Sequence, residues 1–320
     1  MRDNYVVWRQ SLLKEWGGLP PPEVKNKEWL YLLKNETRNS IMIEGIFVKE
    51  EELEAIISGN NCEIRSATDV LSYFRTAKFL YGLGYENFLS NELIFTRGLI
   101  MQVNKGIEED RAREPGKLRK GKVVIGGAKI EPPEFDLDNW IDVYARWVNE
   151  NFNNLPILKF TALQHSLFEA VHPFEDGNGR TGRILTNYLL VNSGFPIITV
   201  KGDNTSRDIY YSALQESDLH LAPLFKTSAN YSQLNNALKK TKTEKLEKVF
   251  FKSLKESTDR IIISLMELKG KKMLSTENLA SSLNYSKSTI RKLVERGKLI
   301  SVIRGKTHYS HPSLFYTQKK

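Results

Sequence analysis

The chain has 320 residues, 40% of them apolar and 27% charged, a balance typical of a soluble globular protein of about two domains. No apolar run reaches the ~18 residues of a membrane-spanning helix, and the N-terminus lacks an apolar signal region. The single cysteine, Cys62, excludes an internal disulfide framework and favours a reducing compartment. We therefore expect a cytoplasmic protein that does not contact membranes.

The net charge of +9 is unevenly distributed. Residues 239–320 hold 20 Lys and Arg against 7 Asp and Glu, whereas residues 1–238 hold 27 against 31. The basic part is a candidate for nucleic-acid contact, and this change in composition predicts a domain boundary near residue 238.

The N-terminal part predicts a bundle of amphipathic helices. Residues 1–22 form a Trp- and Pro-containing lead with an extended brace at 19–22, and a helix follows from 23 to about 34. Gly45 is a good helix stop, which places Glu44 in a last turn where its charge opposes the helix dipole unless a cation lies nearby. Further helices are predicted at 49–58, 66–81, 90–104 and 136–153.

Two short β-prone runs flank Gly126-Gly127 within residues 122–133, and this pattern predicts a β-hairpin. We call residues 122–133 the flap. From its residues alone, the flap could equally be a structural hairpin on a helical domain.

A twelve-residue motif, HPFEDGNGRTGR, runs from His172 to Arg183 between two helical patterns, one ending at Val171 and one containing Ile184. The start of a helix presents unpaired N–H groups and a favourable dipole for an anion, and glycines let the backbone curl around it. Arg180 and Arg183 share a helix face beside this cradle, which suits a polyphosphate. His172 suits a general base, and Asp176 could hold Mg²⁺.

The motif resembles that of the Fic family, His-Pro-Phe-x-Asp/Glu-Gly-Asn-Gly-Arg-x-x-Arg, at every defined position. The resemblance implies transfer of AMP from ATP to a Ser, Thr or Tyr hydroxyl of a target protein, the chain itself included. It implies His172 as the catalytic base and Asp176 as the ligand of Mg²⁺ or Mn²⁺. The implied ATP-binding residues are Gly177, Asn178, Gly179, Arg180, Thr181, Gly182 and Arg183. Phe174 would be an apolar anchor of the loop.

Ser40-Ile-Met-Ile-Glu44-Gly45 resembles the inhibitory helix of many Fic proteins, so Ser40 and Glu44 are the predicted inhibitory residues. Glu44 would pair with Arg183 in the site of the γ-phosphate. In the family the flap holds the target by strand-like pairing, here through Val124, Ile125 and Gly126. Upstream, Pro115-Gly-Lys-Leu-Arg119 departs from the family's Pro-Gly-Glu-Phe-Arg, which leaves target choice open.

Residues 207–214 resemble a family helix that lines the adenine side, through Tyr210 and Tyr211. Both tyrosines could equally be core aromatics. The family commonly has Asn where this chain has Asp218, so the contact to the base or ribose is open.

The C-terminal part predicts a charged helical connector, a further helix at 261–268, two short helices and a strand–turn–strand, which together outline a winged helix-turn-helix. Such modules bind DNA, dock proteins or form dimers. Lys287, Ser288, Thr289, Arg291 and Lys292 would face a groove, with Arg304 and Lys306 on the wing.

The predicted fold is mainly α: a Fic-type bundle with a hairpin flap at 1–238, including an inhibitory helix at about 35–45, and a basic winged helix-turn-helix domain at 239–320. The predicted function is an autoinhibited protein adenylyltransferase. Two alternatives remain open: a DNA-binding regulator with a nucleotide-sensing core, and an enzyme that removes AMP. A homo-oligomer is compatible with the sequence.

Overall fold

The structure is a computed structural model that describes residues 2–59, 67–109 and 114–316. Cys62 and residues 110–113 of the charged loop lie outside the described residues. The N-terminal helices are α1 (Arg2–Trp16), α2 (Lys27–Ile43), α3 (Glu50–Ile57), α4 (Ala67–Ser90), α5 (Arg97–Glu108), α6 (Leu137–Asn151) and α7 (Ile157–Val171). After them come α8 (Asn178–Asn192), α9 (Asn204–Asp218), a short 3-10 helix (Ala222–Lys226), α10 (Tyr231–Lys240) and α11 (Glu244–Leu268). No helix in the described part of the chain is long and apolar enough to cross a membrane.

Helix α8 lies at the centre of the bundle and packs against α4, α5 and α7. All of its residues except Gly179 are buried, because neighbouring helices pack against it on several sides. Helix α2 packs on α4 and contacts α8, so the segment that holds Glu44 lies beside the start of α8. The mainly helical fold predicted from the sequence is confirmed.

The predicted N-terminal lead is mostly the helix α1, and the predicted brace at 19–22 has no regular structure. Trp29 Nε1 donates to the carbonyl of Pro20 at 2.6 Å, which ties the brace to α2. Helix α1 packs along α11, and a buried ion pair joins Arg9 to Asp259 at 2.6 Å. The sequence gave no sign of this long-range pair.

The predicted connector and the helix at 261–268 are one continuous helix, α11. Its first half belongs to the N-terminal core, since Leu246, Phe250 and Leu254 share a buried cluster with Leu158 and Tyr210. The domain boundary at 238 stays a prediction.

The C-terminal unit contains α12 (Thr276–Leu283) and α13 (Lys287–Glu295), with strands β1 (Leu274–Ser275), β2 (Val302–Arg304) and β3 (Thr307–Ser310). The strands form an antiparallel sheet in the order β1-β3-β2. Ser275 and Ser286 cap the two helices by accepting backbone N–H groups. These elements follow the order predicted from the sequence, while their identity as a winged helix-turn-helix stays a prediction.

The flap is not a β-hairpin in the described residues, which corrects the prediction for 122–133. Its tip is a turn in which Ala128 N–H donates to the carbonyl of Ile125 at 3.1 Å, without strand pairing on either side. A two-stranded ribbon without a third strand is marginal in stability, so β-propensity alone did not produce a ladder. The main chain on both sides of the turn is free of strand partners within the described residues.

Candidate functional site

The motif forms a tight loop between α7 and α8. His172 ends α7 in the left-handed conformation at φ 49°, and Gly177 begins α8 at φ 75°. The Asn178 side chain fastens the loop, because its Oδ1 accepts the N–H of Phe174 and its Nδ2 donates to the carbonyl of Phe174, both at 2.9 Å. The buried Phe174 ring anchors the loop in the core.

His172 is half-buried, and its Nδ1 lies 3.2 Å from the carbonyl of Glu169. A carbonyl can only accept, so Nδ1 carries the proton and Nε2 is left with its lone pair. Burial lowers the pKa of His172 to about 4, with a further lowering from the Arg119 charge that the carbonyl contact opposes. The imidazole is therefore neutral at pH 7 and able to accept a proton.

The side of the site towards α2 holds Arg183. Its Nη2 donates to Glu44 Oε1 at 2.6 Å and to the carbonyl of Ser40 at 3.0 Å, and its Nε donates to Ser40 Oγ at 2.6 Å. Burial lowers the pKa of Arg183, but the charges of Glu44, Tyr210, Tyr73 and Glu169 together outweigh it, and the net shift of the pKa is upward. The predicted pairing of Glu44 with Arg183 is present in the structure, and Ser40 adds two further acceptors that the sequence did not predict.

Glu44 lies over the entrance of α8. A Cβ placed on Gly179 would lie 2.8 Å from Glu44 Oε1, so the carboxylate rests almost on the glycine backbone. The side chain of Glu44 is still 33% exposed. A negative charge thus occupies the place where the sequence predicts a phosphate.

The side of the site towards α5 holds Arg180, which is buried and pairs with Glu108 at 2.7 Å. Asp176 Oδ1 lies 3.4 Å from the same guanidinium and accepts the N–H of Gly177 at 2.6 Å. Arg180 therefore has a buried carboxylate partner, and its role as a phosphate ligand stays a prediction. Nothing in the periodicity of α5 marked Glu108 as that partner.

Thr181 and Gly182 lie inside the bundle. Thr181 Oγ1 accepts from Asn104 Nδ2 at 3.3 Å, and a Cβ on Gly182 would lie 2.4 Å from Glu169 Oε1. Both positions serve packing in this structure, and an ATP contact for either stays a prediction.

Of the two predicted adenine-side tyrosines, Tyr210 is buried and its hydroxyl lies 2.6 Å from His165 Nε2. Tyr211 is 41% exposed and so is the better placed of the two to meet a base. Asp218 is also buried and accepts the hydroxyl of Ser166 at 2.9 Å, which makes it a core residue of α9.

A buried carboxyl that the sequence analysis missed is Glu169, one turn before His172. Burial raises its pKa to about 8, Arg183 opposes this, and Glu44 and Asp218 add to it. Glu169 lies three residues before His172, which places both on the same face of the helix end. This spacing was a signal that could have revealed Glu169 as a residue near the site.

The motif has two exposed carboxylates, Glu175 and Asp176, and Asp176, with 65% of its side chain accessible, lies directly before the glycine-lined helix start. Mg²⁺ usually takes one or two protein carboxylates and completes its shell with substrate phosphates and water, so this donor fits the predicted ion. The described residues contain no cluster of three or more potential metal ligands that would form a site by themselves.

Comparisons with known proteins agree with the geometry of the loop. A family model described as Fic/DOC family matches residues 94–190. A probable protein adenylyltransferase of Aquifex aeolicus is 30% identical over 297 residues, which cover 88% of this chain and 85% of that protein. The protein adenylyltransferase Fic of Drosophila erecta is 37% identical over 103 residues, 32% of this chain and 20% of that protein.

A solved structure has the same fold. It is a Fic domain containing signaling protein from Bacteroides thetaiotaomicron, 18% identical, with a TM-score of 0.64 over 84% of this chain and 98% of that one. Together with the match along most of the Aquifex protein, these similarities show that the chain is a member of the Fic/DOC family.

Proposed function

We propose that this protein is an adenylyltransferase that transfers AMP from ATP to a hydroxyl side chain of a target protein. The observation that carries the proposal is the neutral His172 imidazole at the entrance of the glycine-lined start of α8. The similarity to a named adenylyltransferase over 88% of the chain supports it.

In this mechanism the target hydroxyl oxygen attacks the α-phosphorus of ATP in line with the leaving group. His172 Nε2 takes the hydroxyl proton, a P–O bond forms to the target, and the bond to pyrophosphate breaks. The N–H groups at the start of α8 hold the phosphate charge. A magnesium ion held by Asp176 would neutralise charge on the phosphates.

We further propose that Glu44 inhibits this reaction. Its carboxylate neutralises the charge of Arg183 and lies against Gly179. It therefore repels the outer phosphates of ATP from the start of α8. Arg183 is then free to bind phosphate only when Glu44 turns away.

The test uses the purified chain with α-labelled ATP and Mg²⁺, as wild type, Glu44→Gly and Glu44→Gly/His172→Ala. We expect label on protein from the wild type, more from Glu44→Gly, and none when His172 is also replaced. A Glu44→Gly protein that labels nothing would contradict the proposal. Release of AMP from pre-labelled protein, faster in wild type than in Glu44→Gly, would instead favour the AMP-removing enzyme.

A second proposed activity is DNA contact by the C-terminal unit. Lys287, Arg291 and Lys292 are exposed on α13, although Lys287 is paired with Glu277 at 2.5 Å. Lys306 is exposed on the turn between β2 and β3, whereas Arg304, the last residue of β2, is held by Glu267 at 2.6 and 2.9 Å. A gel shift that weakens steeply with salt in wild type, and is lost in Arg291→Ala/Lys292→Ala, is the expected result.

A further inference from the structure

Arg119 lies between the flap and the catalytic loop and is 6% exposed. Its guanidinium donates only to main-chain carbonyls. The acceptors are Pro133 at 2.7 Å, His172 at 2.7 Å, Val171 at 3.4 Å and Gly121. Its own backbone N–H donates to the carbonyl of Pro173 at 2.9 Å.

These acceptors come from two separate parts of the molecule. Gly121 and Pro133 stand at the two ends of the flap, so the side chain closes the base of the flap. Val171 and His172 supply carbonyls at the C-terminal end of α7, which have no partner within the helix. A cation there also opposes the negative end of the helix dipole and supports the left-handed conformation of His172.

The tip of the flap has a second attachment. Gln215 Nε2 on α9 donates to the carbonyl of Gly127 at 2.7 Å. Between base and tip, the Val124 side chain is 80% exposed and the main chain carries no ladder within the described residues. Ile130 of the flap is also buried in the core. The flap is therefore held at its base, at Ile130 and at its tip, with available main chain around Val124.

We infer that Arg119 is a positioning residue that fixes the height of the flap above the His172 ring. This inference rests on the proposed function. A target segment paired to the flap presents its hydroxyl to His172 Nε2 only when the flap and the imidazole keep a fixed position relative to each other. Arginine suits this position because its five N–H donors lie on a wide planar fork and reach carbonyls on separate segments, whereas the three donors of lysine radiate from one nitrogen atom.

The test places Arg119→Lys in the Glu44→Gly background, which keeps the positive charge and removes the fork. The matched control is Arg97→Lys in the same background, since Arg97 pairs with Asp138 at 2.9 Å on the exposed surface of α5 and α6. Three quantities are measured on the full chain: the Kd for Mg·ATP by calorimetry, label transfer to the chain from α-labelled ATP, and hydrogen exchange of the amides of residues 122–129.

For Arg119→Lys we expect a Kd for Mg·ATP within about two-fold of the parent, label transfer slower by about ten-fold (~1.4 kcal/mol), and faster amide exchange in the flap. The control should match the parent in all three. Parental label transfer together with parental flap exchange in Arg119→Lys would overturn the inference, and so would a loss of ATP binding that accounts for the slower transfer. If the parent labels nothing while flap exchange still rises in Arg119→Lys, the proposed function fails and the role of Arg119 in holding the flap stands.

Discussion

The two sides of the start of α8 hold the same kind of ion pair in different surroundings. Towards α5, Arg180 meets Glu108, and their side chains are 3% and 1% exposed. Towards α2, Arg183 meets Glu44, whose side chain is 33% exposed at a helix end. The comparison teaches that one pair belongs to the framework of the site, whereas the other can open without disturbing the core.

The largest expected effect comes from breaking the framework pair. Glu108→Ala leaves the buried Arg180 charge with only the more distant and exposed Asp176 carboxylate, at 3.4 Å, so the free energy of unfolding should fall by about 3–5 kcal/mol. Glu44→Ala should lower it by less, because that carboxylate is partly hydrated and the buried Arg183 keeps both Ser40 acceptors. Urea denaturation of both variants measures the difference, and equal losses would contradict the comparison.

The glycines of the two sides should differ in the same way. Gly177 has φ 75° and a Cβ there would lie 2.5 Å from Glu108 Oε1, so Gly177→Ala should cost at least about 1–2 kcal/mol in unfolding free energy. At Gly179 the backbone is not left-handed, and the added methyl meets the ends of the Glu44 and Arg183 side chains. Thermal unfolding should therefore show a smaller loss for Gly179→Ala, and the reverse order would count against a rigid α5 side.

On the α2 side, Ser40→Ala removes one of the two Ser40 acceptors of Arg183 but leaves the carbonyl. We expect label incorporation to rise by about five-fold over wild type, equivalent to ~1 kcal/mol for one hydrogen bond, and to remain below that of Glu44→Gly. Ser11→Ala is the matched control, since its hydroxyl bonds only to the α1 backbone. An unchanged Ser40→Ala rate would show that Glu44 alone sets the inhibition.

The smallest expected effect is the change of label transfer with pH, which follows the protonation of His172. Because its pKa is lowered to about 4, the imidazole is the neutral base above that value and becomes protonated as pH falls through it. Label transfer by Glu44→Gly should vary by less than about two-fold between pH 8 and 6 and be lost only below about pH 5. Since the Glu44 charge raises the pKa of His172, the residual wild-type activity should fall at a slightly higher pH. An acid limb near pH 6.5 would indicate a solvated histidine.

The sequence predicted the helix–loop–helix of the motif from a local signal, the glycine-rich helix start. The glutamate before a helix-ending glycine indicated only that a cation should lie near Glu44, and its pairing with Arg183 was predicted from the resemblance to the Fic inhibitory helix. The sequence did not predict Glu108 or the four carbonyls around Arg119, since these partners come together only through packing of distant segments. The prediction of a β-hairpin at residues 122–133 was wrong, because residues with high β-propensity form a ladder only when a partner strand packs beside them. Helix α1 was missed because its sequence shows little contrast between an apolar and a polar face. Its buried face is defined by packing against α11, which the sequence of α1 does not show.

Helix α2 is fixed along its length and open only at its end. Arg260 of α11 holds its first turn through Glu28 and stacks on Tyr31, and Tyr73 donates to the buried Glu36 at 2.5 Å in its middle. Glu44 follows directly after the helix as its C-cap and is partly exposed. Under the proposed inhibition, relief would need only the rotation of the Glu44 side chain, a movement of nanoseconds, whereas detaching the whole helix would require partial unfolding. An enzyme inhibited as proposed would return to its resting state after each turnover without refolding any element.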